Sequence, residues 1–250
     1  MSTLLRIREV SKTYPDGSGE IAVFDRASLE IAAGAHVGVY GRRRSGKSTL
    51  MRIAAGIDRP DSGIVDFEGQ DLTRISGVRL ARLLRSRLAY IAVGDWRPNP
   101  GESVVQHLAI SLGGDGRTVR EAERRILREL DVVGVSSVQA HSPATRLSTL
   151  DRTRVMLARA LARQPGLIVI DDPVLTPSAV ERDDLYLTLR TVARERGAAL
   201  LVASDDLPAL QGFDVFMSIS GRELCSSEGS ATIVPFPKAS LLGRVRDIGS

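Results

Sequence analysis

Apolar positions fall into two kinds of pattern along this chain. Short, nearly continuous apolar runs lie at 36–40, 88–93, 167–170 and 199–203. Between them, apolar residues recur at helical spacing over 48–56, 77–84, 103–133 (broken at 113–116), 148–163 and 178–197. A run of four to six apolar residues has no polar face to offer water, so it predicts a strand buried on both sides. Helices as the connections make such strands parallel. The first forty residues read differently: an extended stretch at 4–10, a turn cluster at 15–19 and an alternating stretch at 28–31 before a turn at 33–34 predict short strands. Further strands are expected at 63–67 and 213–219, and the thirty residues at the C-terminal end, with Gly, Ser and two Pro, as a loosely attached tail. The pattern gives an α/β fold with a mostly parallel sheet, without internal repeats.

Composition narrows the class only a little. At 250 residues the chain can bury one substantial core, or one core with a small satellite. Apolar residues make up 43% and charged residues 26%, as in ordinary globular proteins. No apolar stretch approaches the roughly 20 residues needed to cross a bilayer, and the N-terminus lacks a secretory apolar core. The chain is therefore expected in the cytoplasm, with any membrane contact made through a partner. Cys225 is the only cysteine, which excludes an intrachain disulfide and a thiolate metal cluster. The net charge of +4 comes almost wholly from arginine, the only lysines being Lys12, Lys47 and Lys238. Arg120, Arg124 and Arg128 interleave with Glu121 and Glu129 on one predicted helix, which reads as a solvated face with i,i+4 pairs. No nucleic-acid partner is expected from it.

The most specific motif is Gly41-Arg42-Arg43-Arg44-Ser45-Gly46-Lys47-Ser48-Thr49, a match to G-x-x-x-x-G-K-[ST] between a predicted strand and a predicted helix. Its glycines let the backbone turn so that successive N–H groups aim at phosphates, and the following helix adds its positive end. Lys47 supplies a point charge to the phosphates, and the Ser48 hydroxyl is placed to ligate Mg²⁺. The three arginines face either phosphates or solvent. A nucleotide site also needs a carboxylate at a strand end and a group beside it to orient water. Leu167-Ile168-Val169-Ile170-Asp171-Asp172-Pro173 provides both: Asp171 for the metal and Asp172 for the attacking water.

With these motifs in place, the chain resembles an ABC (ATP-binding cassette) ATPase over nearly its whole length. GRRRSGKST is similar to the family's Walker A loop and LIVIDDP to its Walker B strand. Tyr14, in SKTYPDG, sits where the family places an aromatic ring on adenine. RLSTLDRTRVMLARALARQP occupies the place of the signature, typically LSGGQ, and of the helix after it. ALLVASDDLPAL resembles the switch segment. GQDLTRISGVRLARLLRSRLAYI and EAERRILRELDVVGV are similar to the lipoprotein-releasing and macrolide-export subfamily. The resemblance implies a RecA-like P-loop core, an N-terminal antiparallel β subdomain and an inserted α-helical subdomain at about 94–160. The cassette would run over 1–222, with 223–250 as the tail. It also implies ATP and Mg²⁺ as cofactors, a second cassette (the same or a different chain) facing the first across the nucleotide, transmembrane permease subunits as partners, and a peripheral location on the inner face of the cell membrane.

The departures from the family are concentrated. The signature reads Leu147-Ser148-Thr149-Leu150-Asp151, without its glycines, so a Cβ enters where the backbone approaches the partner cassette's nucleotide. Ser148 is kept and, with Asp151 three residues on, can form a capping-box-like pair, though a carboxylate there would face a triphosphate. The catalytic Glu is Asp172, about 1.5 Å shorter in reach, and the switch His is Ser204. The Gln between metal site and membrane-facing groove falls at Val93 or Gly94, neither of which ligates a metal. The loop after Walker B is Leu175-Thr176-Pro177-Ser178, where SALD is usual. These changes spare the parts that hold ATP and fall on the parts that hydrolyse it. The expectation is a slow transporter ATPase. The alternatives are an ATP-gated regulatory clamp without turnover and, third, a soluble ABC ATPase acting outside transport.

Overall fold

The computed structural model describes residues 2–17, 19–112, 118–173 and 178–226. Two long strands open the chain, β1 (Thr3–Asp16) and β2 (Gly19–Ala32), paired antiparallel. The sequence predicts short strands here, at 4–10 and 28–31. The structure runs each strand longer, through a bulge. Glu9 and Arg26 take left-handed φ of 46° and 53°, and their backbone N–H groups are taken by serine hydroxyls of the opposite strand: Glu9 N–H by Ser28 Oγ at 2.9 Å and Arg26 N–H by Ser11 Oγ at 3.1 Å. The bulge twists the ribbon without leaving a donor unpaired. Strands β4 (Ser62–Phe67) and β5 (Gln70–Asp71) complete a sheet in the order β2-β1-β4-β5.

The second sheet holds β3 (His36–Tyr40), β6 (Leu88–Ala92), β7 (Leu167–Asp171), β8 (Ala199–Ser204), β9 (Val215–Ser220) and β10 (Glu223–Ser226), in the order β10-β9-β3-β8-β7-β6. All neighbours run parallel except the β9–β10 hairpin. The apolar runs of β3, β7 and β8 are buried on both faces, as their pattern requires, while β6 at the edge is half-buried at Ala89, Tyr90 and Ala92. Leu167 and Val169 of β7 pack with Leu201 and Ala203 of β8 on one side. Ile168 and Ile170 pack with Leu200 and Val202 on the other.

Helix α1 (Lys47–Ala54) and the β1–β4 sheet cover the first face. Helices α3 (Val104–Leu112), α4 (Val119–Val132), α6 (Thr149–Leu161) and α7 (Ala179–Glu195) contribute to the core on the second. Helix α2 (Gly77–Ser86) precedes β6, and α5 (Ser137–His141) lies between α4 and α6. Strand β5 and helix α5, two and five residues long, are too short to leave a periodicity.

The expected cassette boundary at 222 falls inside the β9–β10 hairpin, so residues 223–226 belong to the sheet. Their turn also joins the two sheets, since Asp25 N–H donates to the Arg222 carbonyl at 3.0 Å. The remainder of the expected tail lies outside the described residues.

The charged face expected on α4 is corrected at Glu129. This side chain does not belong to a solvated i,i+4 ladder. It is buried and accepts two hydrogen bonds from the Arg196 guanidinium at the end of α7, at 3.2 and 2.9 Å. The pair clamps α4 to the helix that backs the sheet. Arg196→Ala leaves a buried carboxylate without its cation, and the expected loss is about 1–3 kcal/mol, or a melting temperature lower by several degrees. A melting curve indistinguishable from wild type would show that the clamp carries no stability.

Candidate nucleotide site

Strand β3 ends at Tyr40, and the chain turns through Gly41–Gly46 into α1. The Gly41 N–H donates to the Ser204 carbonyl at 3.1 Å, which ties the start of the loop to the end of β8. Lys47 is 7% exposed, and its ammonium donates to the carbonyls of Gly41 at 2.8 Å and Arg42 at 3.3 Å. Its charge thus stands inside the curl of the loop, where a phosphate would meet it. Glycine is required at both ends of the curl. Gly46 has φ of 101°, and a Cβ there would lie 2.6 Å from Val23 Cγ1. A Cβ on Gly41 would lie 2.3 Å from Ser45 Oγ, a buried hydroxyl without a partner among the described residues. The arginines of the loop diverge in role: Arg42 lends its carbonyl to Lys47, Arg43 donates to Asp205 at 3.4 Å, and Arg44 takes a left-handed φ of 63°. All three side chains are exposed.

Tyr14 is brought to the same loop. Its side chain shares a hydrogen bond with Thr49, and its hydroxyl donates to Asp58 Oδ2 at 3.0 Å. Asp58 is itself fixed by two hydrogen bonds from Arg52, at 2.8 and 3.0 Å. That pairing holds the Asp58 carboxyl below its usual range, while burial raises the Tyr14 hydroxyl. The ring is thereby pinned to α1 at its hydroxyl end, with Lys12 Nζ 5.1 Å from its centroid.

The two carboxylates at the end of β7 sit beside the loop in different settings. Asp171 hydrogen-bonds the Ser48 side chain, and its Oδ1 is buried without a partner among the described residues. Burial raises its pKa, while Ser48 and the charge of Lys47 oppose the rise. A buried carboxylate touching a hydroxyl is a hard oxygen pair suited to Mg²⁺, and the orphaned Oδ1 is the atom that would face it.

Asp172 adopts a left-handed φ of 46°, held by a hydrogen bond from its N–H to the Ala203 carbonyl at 3.1 Å. Burial, and then the charge of Asp205, push its pKa up to about 6. A carboxylate poised near neutrality can take a proton from water.

Ser204 is 2% exposed. Its hydroxyl accepts from the Asp206 N–H at 3.1 Å and shares a hydrogen bond with Tyr186. It is spent inside the protein.

Elsewhere the site residues named from sequence are positioned as follows. Ser148 caps α6: its hydroxyl accepts from the Asp151 N–H at 3.1 Å and donates to the Asp151 carboxylate at 2.8 Å. The reciprocal half of a capping box, a carboxylate on the cap residue's own N–H, is replaced by this side-chain pair. Thr149 opens the helix and lends its carbonyl to Thr153 at 3.3 Å. Val93 and Gly94 lie in a single 3-10 turn that continues to Asp95. Leu175, Thr176 and Pro177 lie outside the described residues. Sequence reasoning did not single out Asp205, Tyr186 or the Arg52–Asp58 pair. Asp205 lies inside the quoted segment ALLVASDDLPAL without being assigned a role there, and the other contacts join distant segments and leave no local mark.

The model of the family described as "ABC transporter" matches residues 24–175, more than half of the chain. The chain belongs to the ABC transporter family. It is an ATP-binding domain of that family, a domain that binds nucleotide, normally with Mg²⁺.

Among curated relatives, this ABC cassette is 32% identical over 205 residues to the lipoprotein-releasing system ATP-binding protein LolD of Shewanella oneidensis, covering 81% of this chain and 87% of the relative. It is 28% identical over 221 residues to LolD 2 of Caulobacter vibrioides, covering 88% and 96%. Among solved structures, it is similar to the ATP-binding cassette MJ0796 in a dimeric post-hydrolysis state bound to ADP and phosphate. The TM-score there is 0.80 at 22% identity, over 88% of this chain and 96% of that one. It also resembles cbiO1 of Clostridium perfringens, described as part of the ABC transporter complex cbiONQ, with a TM-score of 0.76 at 19% identity over 90% and 87%. At those identities the structures bear on the fold, and the RecA-like α/β architecture agrees with them.

Two outcomes are expected in the purified cassette. Gly46→Ala forces a Cβ into Val23, so Mg-ATP binding measured by calorimetry is expected to be lost while the fold persists. Undiminished binding would contradict the loop geometry. The raised pKa of Asp172 makes the native state bind more protons than the unfolded chain between about pH 4 and 6. Its contribution therefore becomes unfavourable as pH rises through that window. Asp172→Asn, which tolerates a left-handed φ, is expected to raise the melting temperature at pH 8 and to do so less at pH 5. An equal effect at both values would refute the shift.

Proposed function

We propose that this chain is the ATP-binding subunit of a membrane transporter, holding Mg-ATP between two cassettes to drive or gate a permease, with slow hydrolysis. The observation that carries the second half is the burial of Ser204. Where a residue of the switch is expected to reach the nucleotide, the hydroxyl is instead engaged by Asp206 and Tyr186. The holding parts keep their chemistry. Lys47 and the loop amides would bind the β- and γ-phosphates, and Tyr14, pinned through Asp58, would lie against adenine. Ser48 and Asp171 would hold Mg²⁺, which when bound neutralises phosphate charge. Asp172 would orient and deprotonate the water.

A pKa of about 6 favours a working base over a pure ATP-gated clamp. Two losses oppose fast turnover. A carboxylate about 1.5 Å short can cost on the order of 100-fold. A missing donor to the transition state costs roughly 100- to 1000-fold. Across the dimer, Ser148, Thr149 and Asp151 would face the partner's nucleotide, with Asp151 paired to Ser148 and not to a backbone donor. No helix among the described residues is long and apolar enough to cross a membrane, so the cassette would reach the membrane through permease subunits. LolD relatives, named as ATP-binding proteins of a releasing system, support that assignment.

If the altered switch and base set the rate, Asp172→Glu combined with Ser204→His is expected to raise steady-state ATPase activity by about tenfold or more. An unchanged rate, with Mg-ATP still bound, would move the limitation to the signature or to the partner.

A further inference from the structure

Helix α6 begins where the second cassette would meet this chain, and its first turn is closed on itself. Ser148 has one hydroxyl proton, and it goes to the Asp151 carboxylate at 2.8 Å. The same oxygen takes the Asp151 N–H at 3.1 Å. A helix start binds a phosphate when its first N–H groups and its positive end are free. Here the N–H of the third helical residue is taken, the serine donor is engaged, and a carboxylate stands against the positive end. Arg152 donates to the Leu147 carbonyl at 3.2 Å, and no arginine pairs with Asp151 among the described residues.

The packing beneath holds this turn in place. Leu150 packs against the helical core, and Thr153, fully buried one turn on, donates to the Pro173 carbonyl at 2.6 Å. Thr149 and Asp151 stay partly exposed at the helix start. Thr149 carries a branched Cβ where a close approach of backbone to phosphate calls for glycine. The phosphate loop is unlike this turn: it keeps both glycines and a buried ammonium inside the curl. The chain thus joins a half fit to grip ATP to a half unfit to close on it. In a two-fold pair of copies every contact occurs twice. Both nucleotides would then meet a carboxylate and side chains in place of bare backbone, and a carboxylate against a triphosphate is repulsive.

We propose that the second cassette is a different chain, one whose own helix start is free of carboxylate and side-chain bulk, and that two copies of this chain do not close around ATP. This rests on the two-cassette reading above and adds the kind of partner. In such a pair the ATP held by this chain is the one enclosed, and there Asp172 and Ser204 would set the rate.

The test is sedimentation of the purified full chain with and without Mg-ATP, with Mg-ATP binding measured for each form. The wild-type chain is expected to remain a monomer in both conditions. Thr149→Gly, Leu150→Gly and Asp151→Gln together are expected to give, with Mg-ATP only, a species of about twice the mass. Because glycine in the first turn weakens the helix, Asp151→Asn is measured beside it. Asparagine keeps an acceptor for Ser148 and removes the charge, and self-association with Mg-ATP is expected to tighten by about tenfold or more. A wild-type dimer formed with Mg-ATP overturns this inference and leaves the ATP-binding reading standing. Variants that bind Mg-ATP and stay monomeric overturn it too. In complexes extracted from membranes, two differently tagged copies expressed together are expected in separate complexes, each with a second cassette chain. Both tags in one complex overturn the inference. If the wild-type chain binds no Mg-ATP, both readings fall.

Discussion

Strands β3, β8 and β7 run parallel and in register, with Tyr40 opposite Ser204, and Asp171 opposite Ala203. Everything chemical in this molecule hangs on that alignment. It delivers the start of the glycine-rich loop, the end of β8 and Asp171, the carboxylate proposed to face the metal, to one edge of the sheet, where three backbones leave the ladder together. The loop is then stapled to its neighbour through Gly41 and Ser204, and the peptide after Asp171 to Ala203. A parallel sheet buried on both faces leaves its strand ends as the natural place for polar groups to converge. The apolar side chains that alternate above and below it fix the register by which they do so.

The same edge explains how holding and hydrolysing can diverge. The proposed holding elements are mainly backbone and glycine geometry: the curl around Lys47, the left-handed Gly46, and with them the orphaned oxygen of Asp171. The proposed hydrolytic elements are single side chains at strand ends, which can be shortened or re-engaged without disturbing the sheet. Ser204 illustrates the second case. Its carbonyl serves the phosphate loop while its hydroxyl caps the next turn. Asp172 illustrates the first, retaining a raised pKa from burial and Asp205 although its reach is reduced.

Much of the fold was legible because continuous apolar runs and helical spacing are properties of a few adjacent residues. The strand at 36–40 and the helix at 77–84 are found within two residues of their predicted ends. The long β1–β2 ribbon was not, because its bulges are rescued by Ser11 and Ser28 from across the hairpin. The loop, the two carboxylates and the helix cap at Ser148 could be read from local spacing. The Tyr186–Ser204 contact, the Arg52–Asp58 anchor for Tyr14 and the Glu129–Arg196 clamp could not. Each joins residues whose nearness is created only by packing, so no window of sequence contains it.

The central claim is a cassette that grips nucleotide well and hydrolyses it poorly. Its most direct test is Mg-ATP affinity measured beside steady-state turnover, for the chain alone and in complex with its membrane partner. The account predicts firm binding in both settings and slow turnover that rises in the complex. Weak binding of Mg-ATP, or fast turnover by the isolated chain, would contradict it.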